Sequence, residues 1–361
     1  MASLSFRDHR RDPAAWARAL GISREAIDLY LASEVIDLHV DSFIWSRVFG
    51  YRLDRRHGPG WLRGHVYSQV DLPRIREAQI AGCMWSITTN PARSSARRAA
   101  AFTDNLTRLR AALSACADDV ALCLDGADYR RARAASKHAA FLAVQGGNAL
   151  DAPGTLAAAA AGGVMRVTVV HLSTSSLGAT SAPGLATDGH LTARGIEFVR
   201  ELDARRMFVD LAHVHPRGFF DAVQTHDRAL PLIVTHTGVV GVTPHWRNLD
   251  DDQLRAIAAT GGVIGVMYQS SFLGDPLLRG RAASIVDHLD HIVRIVGDDF
   301  AALGSDWDGA IFTPRDMPTC LELPRLVELM LARGWPADRV RKVLGGNALR
   351  AIDALRPPGW R

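Results

Sequence analysis

The sequence predicts an α/β protein, a single (β/α)8 barrel of the TIM type with an N-terminal helical extension, and three observations carry that expectation. Strand-like apolar runs alternate with segments of helical period along nearly the whole chain. Eight such runs can be counted, each close to continuously apolar, as parallel strands covered on both faces require. Most of them end on histidine, aspartate or an amide, and in a closed barrel such ends converge on one face. At 361 residues, 48% hydrophobic and 22% charged, the chain is long enough for one barrel with extensions and a sizeable core. The expected division is residues 1–33 for the extension and 34–355 for the barrel.

Residues 12–32 place apolar side chains at helical spacing ahead of the first strand. The strand runs follow as EVIDLH (34–39), IAGCMWSITT (80–89), AAFLAVQ (139–145), VMRVTVVH (164–171), RMFVDLAH (206–213), LPLIVTH (230–236), GVIGVMY (262–268) and FAALGSD (300–306). Between them lie helix-period segments. FTDNLTRLRAALSA puts Phe102, Leu106, Leu109 and Leu113 on one face, and LTARGIEFVRELDARR and SIVDHLDHIVRIV repeat the pattern. Thr192 is positioned to cap one helix, and LDDDQLRAIAATGG ends in glycines as helices tend to. The last helix opens after Pro336. Residues 51–70 form one long irregular insertion between strands.

Composition excludes several classes of function. The formal net charge is +4, but the arginines are scattered in pairs such as Arg55-Arg56 and Arg205-Arg206. No basic tail, Cys/His finger or aromatic RNA-binding signature accompanies them, so nucleic acid is not an expected partner. The four cysteines form no CxxC pair, and Cys83 and Cys123 sit in apolar runs as reduced core residues. The N-terminal stretch has no apolar signal core and no run approaches a membrane span. The expectation is a cytoplasmic enzyme or binding protein without a membrane partner.

Chemistry concentrates at the strand ends. The first run leads into His39-Val40-Asp41, the third ends at Gln145 and the fourth at His171. The fifth ends at His213, the sixth at His236 and the eighth at Asp306. Imidazole nitrogens with carboxylate oxygens are the donor set a borderline ion such as Zn²⁺ takes. His39 and Asp41 are two apart, so on a strand both face the same side. His215 follows His213 by two and is an alternative ligand. His138, His288 and His291 lie on or beside helical segments and read as surface residues, while His57 and His65 belong to the insertion. Arg247, in the loop after the sixth run, reads either as a surface or capping residue or as a fork for a substrate carboxylate.

These motifs together resemble the membrane (renal) dipeptidases, zinc-dependent barrel enzymes of the amidohydrolase-like type. The matching stretches are VIDLHVDS (35–42), DLPRIREAQIAGCMWSI (71–87), FLAVQGGNAL (141–150), RVTVVHLS (166–173), LTARGIEFVRELDARRMFVDLAHV (191–214), IVTHTGVVGVTPHWRNLDDDQL (233–254), AALGSDWDG (301–309) and VLGGNALRAI (343–352). The resemblance implies that His39 and Asp41 hold a first zinc and that His213 and His236 hold a second. It implies that His171 orients the scissile carbonyl and that Arg247 anchors the C-terminal carboxylate of a dipeptide. Asp306 matches the acid/base aspartate. The substrates implied are dipeptides, a D-residue being tolerated on the leaving side, and the quaternary state implied is a homodimer.

One position departs from the family pattern. Gln145 stands where the family has a glutamate that bridges the two ions. Two divalent ions roughly 3.5–4 Å apart repel by about 15–20 kcal/mol at an effective dielectric of about 20, as a gross interaction. A bridging carboxylate offsets part of that repulsion, whereas an amide brings one good ligand oxygen and an NH₂ donor. The expectation is one or two zinc ions with the second held weakly, Gln145 being the altered ligand. The leading function is a metal-dependent hydrolase of dipeptides or similar small amides. The alternatives are a repurposed relative acting on a peptide-like metabolite, motivated by Gln145 and by the insertion around Trp61, and a non-catalytic dipeptide binder.

Overall fold

Two short helices precede the first strand, Pro13–Leu20 and Arg24–Leu31. Asp12 and Ser23 cap them by accepting from the Ala15 and Ala26 amides. Gly21, in the left-handed region at φ 63°, turns the chain between the two. The computed structural model describes all residues except 1–2, 59–63, 65, 91, 186–187 and 361. Trp61 and His65 of the insertion therefore lie outside the described residues.

The strands are β1 (Ile36–Val40), β2 (Gly82–Thr88), β3 (Val120–Leu122), β4 (His138–Gln145), β5 (Val164–Thr168), β6 (Phe208–Asp210), β7 (Ile233–Thr237), β8 (Val263–Val266) and β9 (Ala301–Leu303). All their pairings are parallel. Eight of them close the predicted barrel: the ring runs β2-β1-β9-β8-β7-β6-β5-β4, and β2 pairs with β4 to shut it. The eight expected runs are the eight ring strands. β3 is an unexpected ninth. It pairs only with His138–Ala140 at the start of β4, and three residues after a long helix leave too short a pattern to stand out in the sequence.

β4 is buried along its whole length, and its two faces alternate between two cores. On β4, Ala140, Leu142 and Val144 join the large core that includes Leu109, Phe198 and Leu289 of the surrounding helices. Ala139, Phe141 and Ala143 join a second core with Phe208, Ile233 and Ile352. Gln145 continues the parity of this second series. The helices form much as expected: Ser95–Ser114, Ala193–Ala204 with Thr192 accepting from the Gly195 amide, Asp251–Ala258 with a capping box on Asp250, and Ala282–Val296.

Three histidines are not where the sequence suggests. His138, His288 and His291 are buried. His138 opens β4, directs Nδ1 to the Ile80 carbonyl at 2.9 Å and accepts from Trp85 Nε1 at 3.2 Å. His288 and His291 share the inward face of their helix with Ile285, Leu289 and Ile292. They meet the Val239 amide at 2.8 Å and the Asp251 carboxylate at 2.7 Å. A histidine whose nitrogens are both engaged is tolerated inside. All four cysteines are buried and free.

Candidate functional site

The ring strands end sooner than their apolar runs suggest, so several site residues sit in loops. His39 lies within β1 and His236 within β7, while Gln145 is the last residue of β4. His171, His213 and Asp306 each fall three residues beyond their strands. His213 and Asp306 adopt left-handed backbone, at φ 67° and 63°. That turn re-aims the side chain back over the barrel, a conformation histidine and aspartate reach more readily than most residues.

The side chains converge. His213 Nε2 and His236 Nε2 are 2.8 Å apart. Gln145 Nε2 lies 3.3 Å from the first and 3.5 Å from the second, and its Oε1 accepts from Thr88 Oγ1 at 3.1 Å. His39 stacks on His236 with centroids 4.0 Å apart, and the His171 ring meets His213 edge-on at 4.7 Å. His39 Nε2 is buried without a hydrogen-bond partner among the described residues. It stands 3.6 Å from Asp41 Oδ1 and 3.6 Å from Asp306 Oδ1, too far for hydrogen bonds. His215 is set apart: it caps the helix Pro216–Thr225, so His213 is the member of that pair that joins the site.

Arg247 is buried beside His236, its Nη2 donating to the His236 carbonyl at 2.7 Å. Its Nε has no partner among the described residues. It does not line the cavity of about 380 Å³ that opens over Asp41, Gln145, His213 and Asp306.

Beneath the histidines lies a polar network that sequence reasoning does not single out. Arg166 is fully buried. Its Nη2 donates to His39 Nδ1 at 2.9 Å, and its Nη1 donates to Asp210 Oδ2 at 3.2 Å and to Thr168 Oγ1 at 2.6 Å. Asp210 Oδ2 also accepts from Thr168 Oγ1 at 2.6 Å and Thr235 Oγ1 at 2.8 Å. The Thr235 hydroxyl gives its one proton to Asp210 and so accepts from His236 Nδ1, 2.8 Å away. A guanidinium cannot accept, so His39 Nδ1 must. The two rings are thus held in opposite tautomers: His236 turns a bare Nε2 to the site, whereas His39 keeps its proton on Nε2 while Arg166 holds Nδ1, so ligation through His39 Nε2 requires that proton to leave and the Arg166 contact to open. A charged residue inside VMRVTVV and another inside FVDLAH are the signals that could have exposed this network, since a buried charge must be paired.

Burial pushes the pKa values of His213 and His236 well below the ordinary imidazole value, helped by the Arg247 charge. His171 is pushed down to about 4 by burial, with Asp41 pulling the other way. The two carboxyls diverge. Burial also works to raise Asp41, but His39 beside it wins and holds its pKa low. Asp306 is raised well above the usual carboxylate range by burial and by the Asp41 charge. Neighbouring carboxyls whose environments push them in opposite directions are a pattern found in acid/base sites.

These donors fit one divalent cation. His39, His236 and Asp306 each offer an atom such that all three lie within 4.8 Å of one another, the span of a single ion's ligand shell, and His213 and Asp41 adjoin them. A bridge between two ions fits poorly, because Gln145 is neutral and turns its NH₂ toward the histidines.

A (β/α)8 barrel with imidazoles, carboxylates and a buried arginine at the C-terminal ends of its strands defines a hydrolase of the metal-assisted class. The chain belongs to the membrane dipeptidase family, peptidase family M19, whose sequence model matches residues 23–356. An uncharacterized protein in the pqqA 5' region of Klebsiella pneumoniae is 34% identical over 239 residues, which are 64% of this chain and 87% of that one. Among solved structures, the probable dipeptidase PvdM from Pseudomonas aeruginosa superposes with a TM-score of 0.81 at 18% identity, over 94% of this chain and 99% of that one. A metallopeptidase from Rhodobacter sphaeroides, liganded with a phosphinate mimic of the dipeptide L-Ala-D-Ala, gives a TM-score of 0.77 at 22% identity, over 90% and 99% of the two chains. At such identities the structures support the fold. Among the described residues no helix is long and apolar enough to cross a membrane.

Proposed function

We propose that this chain is a metal-dependent hydrolase that cleaves the amide bond of dipeptides, including those with a D-residue at the C-terminal side, or of similar small amides. The observation that carries the reading is His39 Nε2, buried and unpartnered between two carboxylates at 3.6 Å, with His236 stacked on its ring. Two carboxylates facing one imidazole suit a cation that displaces the Nε2 proton as it binds. His39, Asp41, His213 and His236 would hold it, with Gln145 as the altered ligand and Asp306 beside them, and imidazole with carboxylate favours zinc. One ion is held tightly; a second, next to the neutral Gln145, is held weakly.

A bound ion supplies Lewis acidity toward the scissile carbonyl and a nucleophile at neutral pH. The protein's own groups do the rest. Asp306 takes the proton of the attacking water and returns it to the leaving amine. His171, neutral at the rim, orients the carbonyl and stabilises the oxyanion that develops on it. Arg247 offers its unpartnered Nε to the substrate's C-terminal carboxylate.

A second reading, an enzyme repurposed for a peptide-like metabolite, is favoured by the Gln145 NH₂ group facing His213 and His236. Metal analysis of protein purified without chelator, with rates on L,L and L,D dipeptides, tests both. Absence of metal and of turnover after zinc reconstitution would sink the hydrolase. Zinc binding with turnover confined to larger peptide-like amides would favour the repurposed enzyme. The reading includes a homodimer, which sedimentation velocity checks.

A further inference from the structure

We propose that the cavity selects substrates with a large apolar side chain, aromatic ones above all, and that Trp45, Leu172 and Phe272 set that preference. The inference rests on the hydrolase reading and names its substrate class.

The cavity is chemically divided. Its floor is the polar site, with Asp41, Gln145, His171, His213 and Asp306; beyond it Gln269 is polar, while Ile44, Trp45, Leu172, Met267, Phe272 and Ile311 give the lining an apolar surface. Among the described lining residues the charged groups are Asp41, Asp306 and Asp308. The first two belong to the floor. Asp308 is already engaged: its carboxylate accepts from the Ser42 hydroxyl, from the Gln69 amide at 2.9 Å and from the Val70 amide at 3.3 Å. An anionic substrate side chain would lose its water against these walls and meet no cation among the described lining residues, and a cationic one would have to compete with a bound ion for the floor carboxylates. An apolar one would remove both its own surface and theirs from water.

The aromatic walls are held in place before any ligand arrives. Trp45 Nε1 donates to the Asp308 carbonyl at 2.7 Å, and its ring stacks on Phe49 with centroids 5.6 Å apart. Phe272 stacks on His245 at 4.3 Å and packs edge-on against Trp246 at 5.7 Å. They come from different loops, Trp45 from the helix after β1 and Phe272 from the segment after β8. Rings fixed this way lose little freedom when a planar group stacks on them. Leu172 is 49% exposed at the rim, so an apolar group leaving the cavity would cover it.

The experiment is a dipeptide panel on zinc-reconstituted protein: Phe-Ala, Ala-Phe, Leu-Ala, Ala-Ala, Asp-Ala and Lys-Ala, in L,L and L,D forms. The best aromatic dipeptide is expected to exceed Ala-Ala in kcat/KM by at least about tenfold, the scale on which apolar pockets discriminate, with Asp-Ala and Lys-Ala below Ala-Ala. Leu172→Asp, at a half-exposed position that folding does not need, is expected to shrink the aromatic advantage. A flat ranking, or preference for a charged dipeptide, overturns the proposal. If no dipeptide is turned over, the hydrolase reading has failed separately, and the same panel is ranked by calorimetric binding. Tighter binding of the aromatic members then upholds the preference, and equal binding overturns it.

Discussion

Arg166 donates to His39 Nδ1 across 2.9 Å, and this contact leaves the ring's Nε2 as the only nitrogen that can face the cavity. The same guanidinium reaches Asp210, and Asp210 reaches His236 through Thr235. One buried ion pair therefore orients two stacked imidazoles that come from different strands of the ring. Arg166→Met is expected to cost about 3–5 kcal/mol of stability, as the loss of one partner of a buried pair does. Without that donor His39 Nδ1 can carry the ring's proton and leave Nε2 bare, so zinc affinity should not fall in step with stability. Arg166→Lys keeps the charge beside Asp210 and should recover much of the lost stability. Urea denaturation and a zinc titration on both variants check this.

Gln145→Glu is expected to raise the bound zinc toward two ions per chain and to raise dipeptide turnover with it. The carboxylate would replace an NH₂ donor that now lies 3.3 Å from His213 with a charge that offsets the repulsion between ions. Metal stoichiometry and rate, measured side by side with the native protein, read the result. An unchanged stoichiometry would mean that the amide is an adequate ligand.

Asp306→Asn removes the carboxyl that moves the proton while leaving the side chain's size and backbone turn in place. Turnover should fall by about 10²–10⁴-fold, the usual contribution of a general acid or base, while dipeptide binding measured by calorimetry persists. Undiminished turnover would exclude Asp306 as the proton carrier.

Arg247→Met should act mainly on substrate binding. A charge-assisted hydrogen bond contributes about 1.5–3 kcal/mol, so KM is expected to rise roughly 10- to 100-fold. The native protein should discriminate against dipeptides amidated at the C-terminus, and the variant should not. Equal discrimination in both would remove Arg247 from carboxylate recognition.

Two histidines distant from the site make stability depend on pH. Burial depresses the pKa of His138 to about 3 and that of His288 to about 4, against about 6.5 in an unfolded chain. The unfolded chain binds the extra protons, so stability is complete above about pH 6.5 and is lost as pH falls toward 4. Each contributes a slope of about 1.4 kcal/mol per pH unit in that window. His138→Gln should reduce the slope by about that amount, measured by denaturation between pH 7 and pH 5.

The barrel could be read from the sequence because its strands are apolar on both faces and stand out as continuous runs. β3 could not, since Val120–Leu122 is too short to show a period. The convergence of His39, Asp41, Gln145, His171, His213, His236 and Asp306 followed from their places at strand ends. Arg247 was left open between a surface and a site residue, because its contact with the His236 carbonyl depends on how the loop after β7 folds back. Arg166, Asp210 and Thr235 went unmarked because a support role shows only in contacts between strands distant in sequence. The burial of His138, His288 and His291 was missed for a related reason. A polar residue on a helical pattern reads as outward until its partner across the fold is known.

The left-handed backbone at His213 and Asp306 sets stability and chemistry against each other. Glycine adopts that conformation without strain, whereas other residues there cost of order 1–3 kcal/mol each. A screen that selects only for thermal resistance would thus drift toward glycine at these two positions and return a sturdier, inert barrel. Engineering of this scaffold for robustness should hold both codons fixed and seek its gains elsewhere.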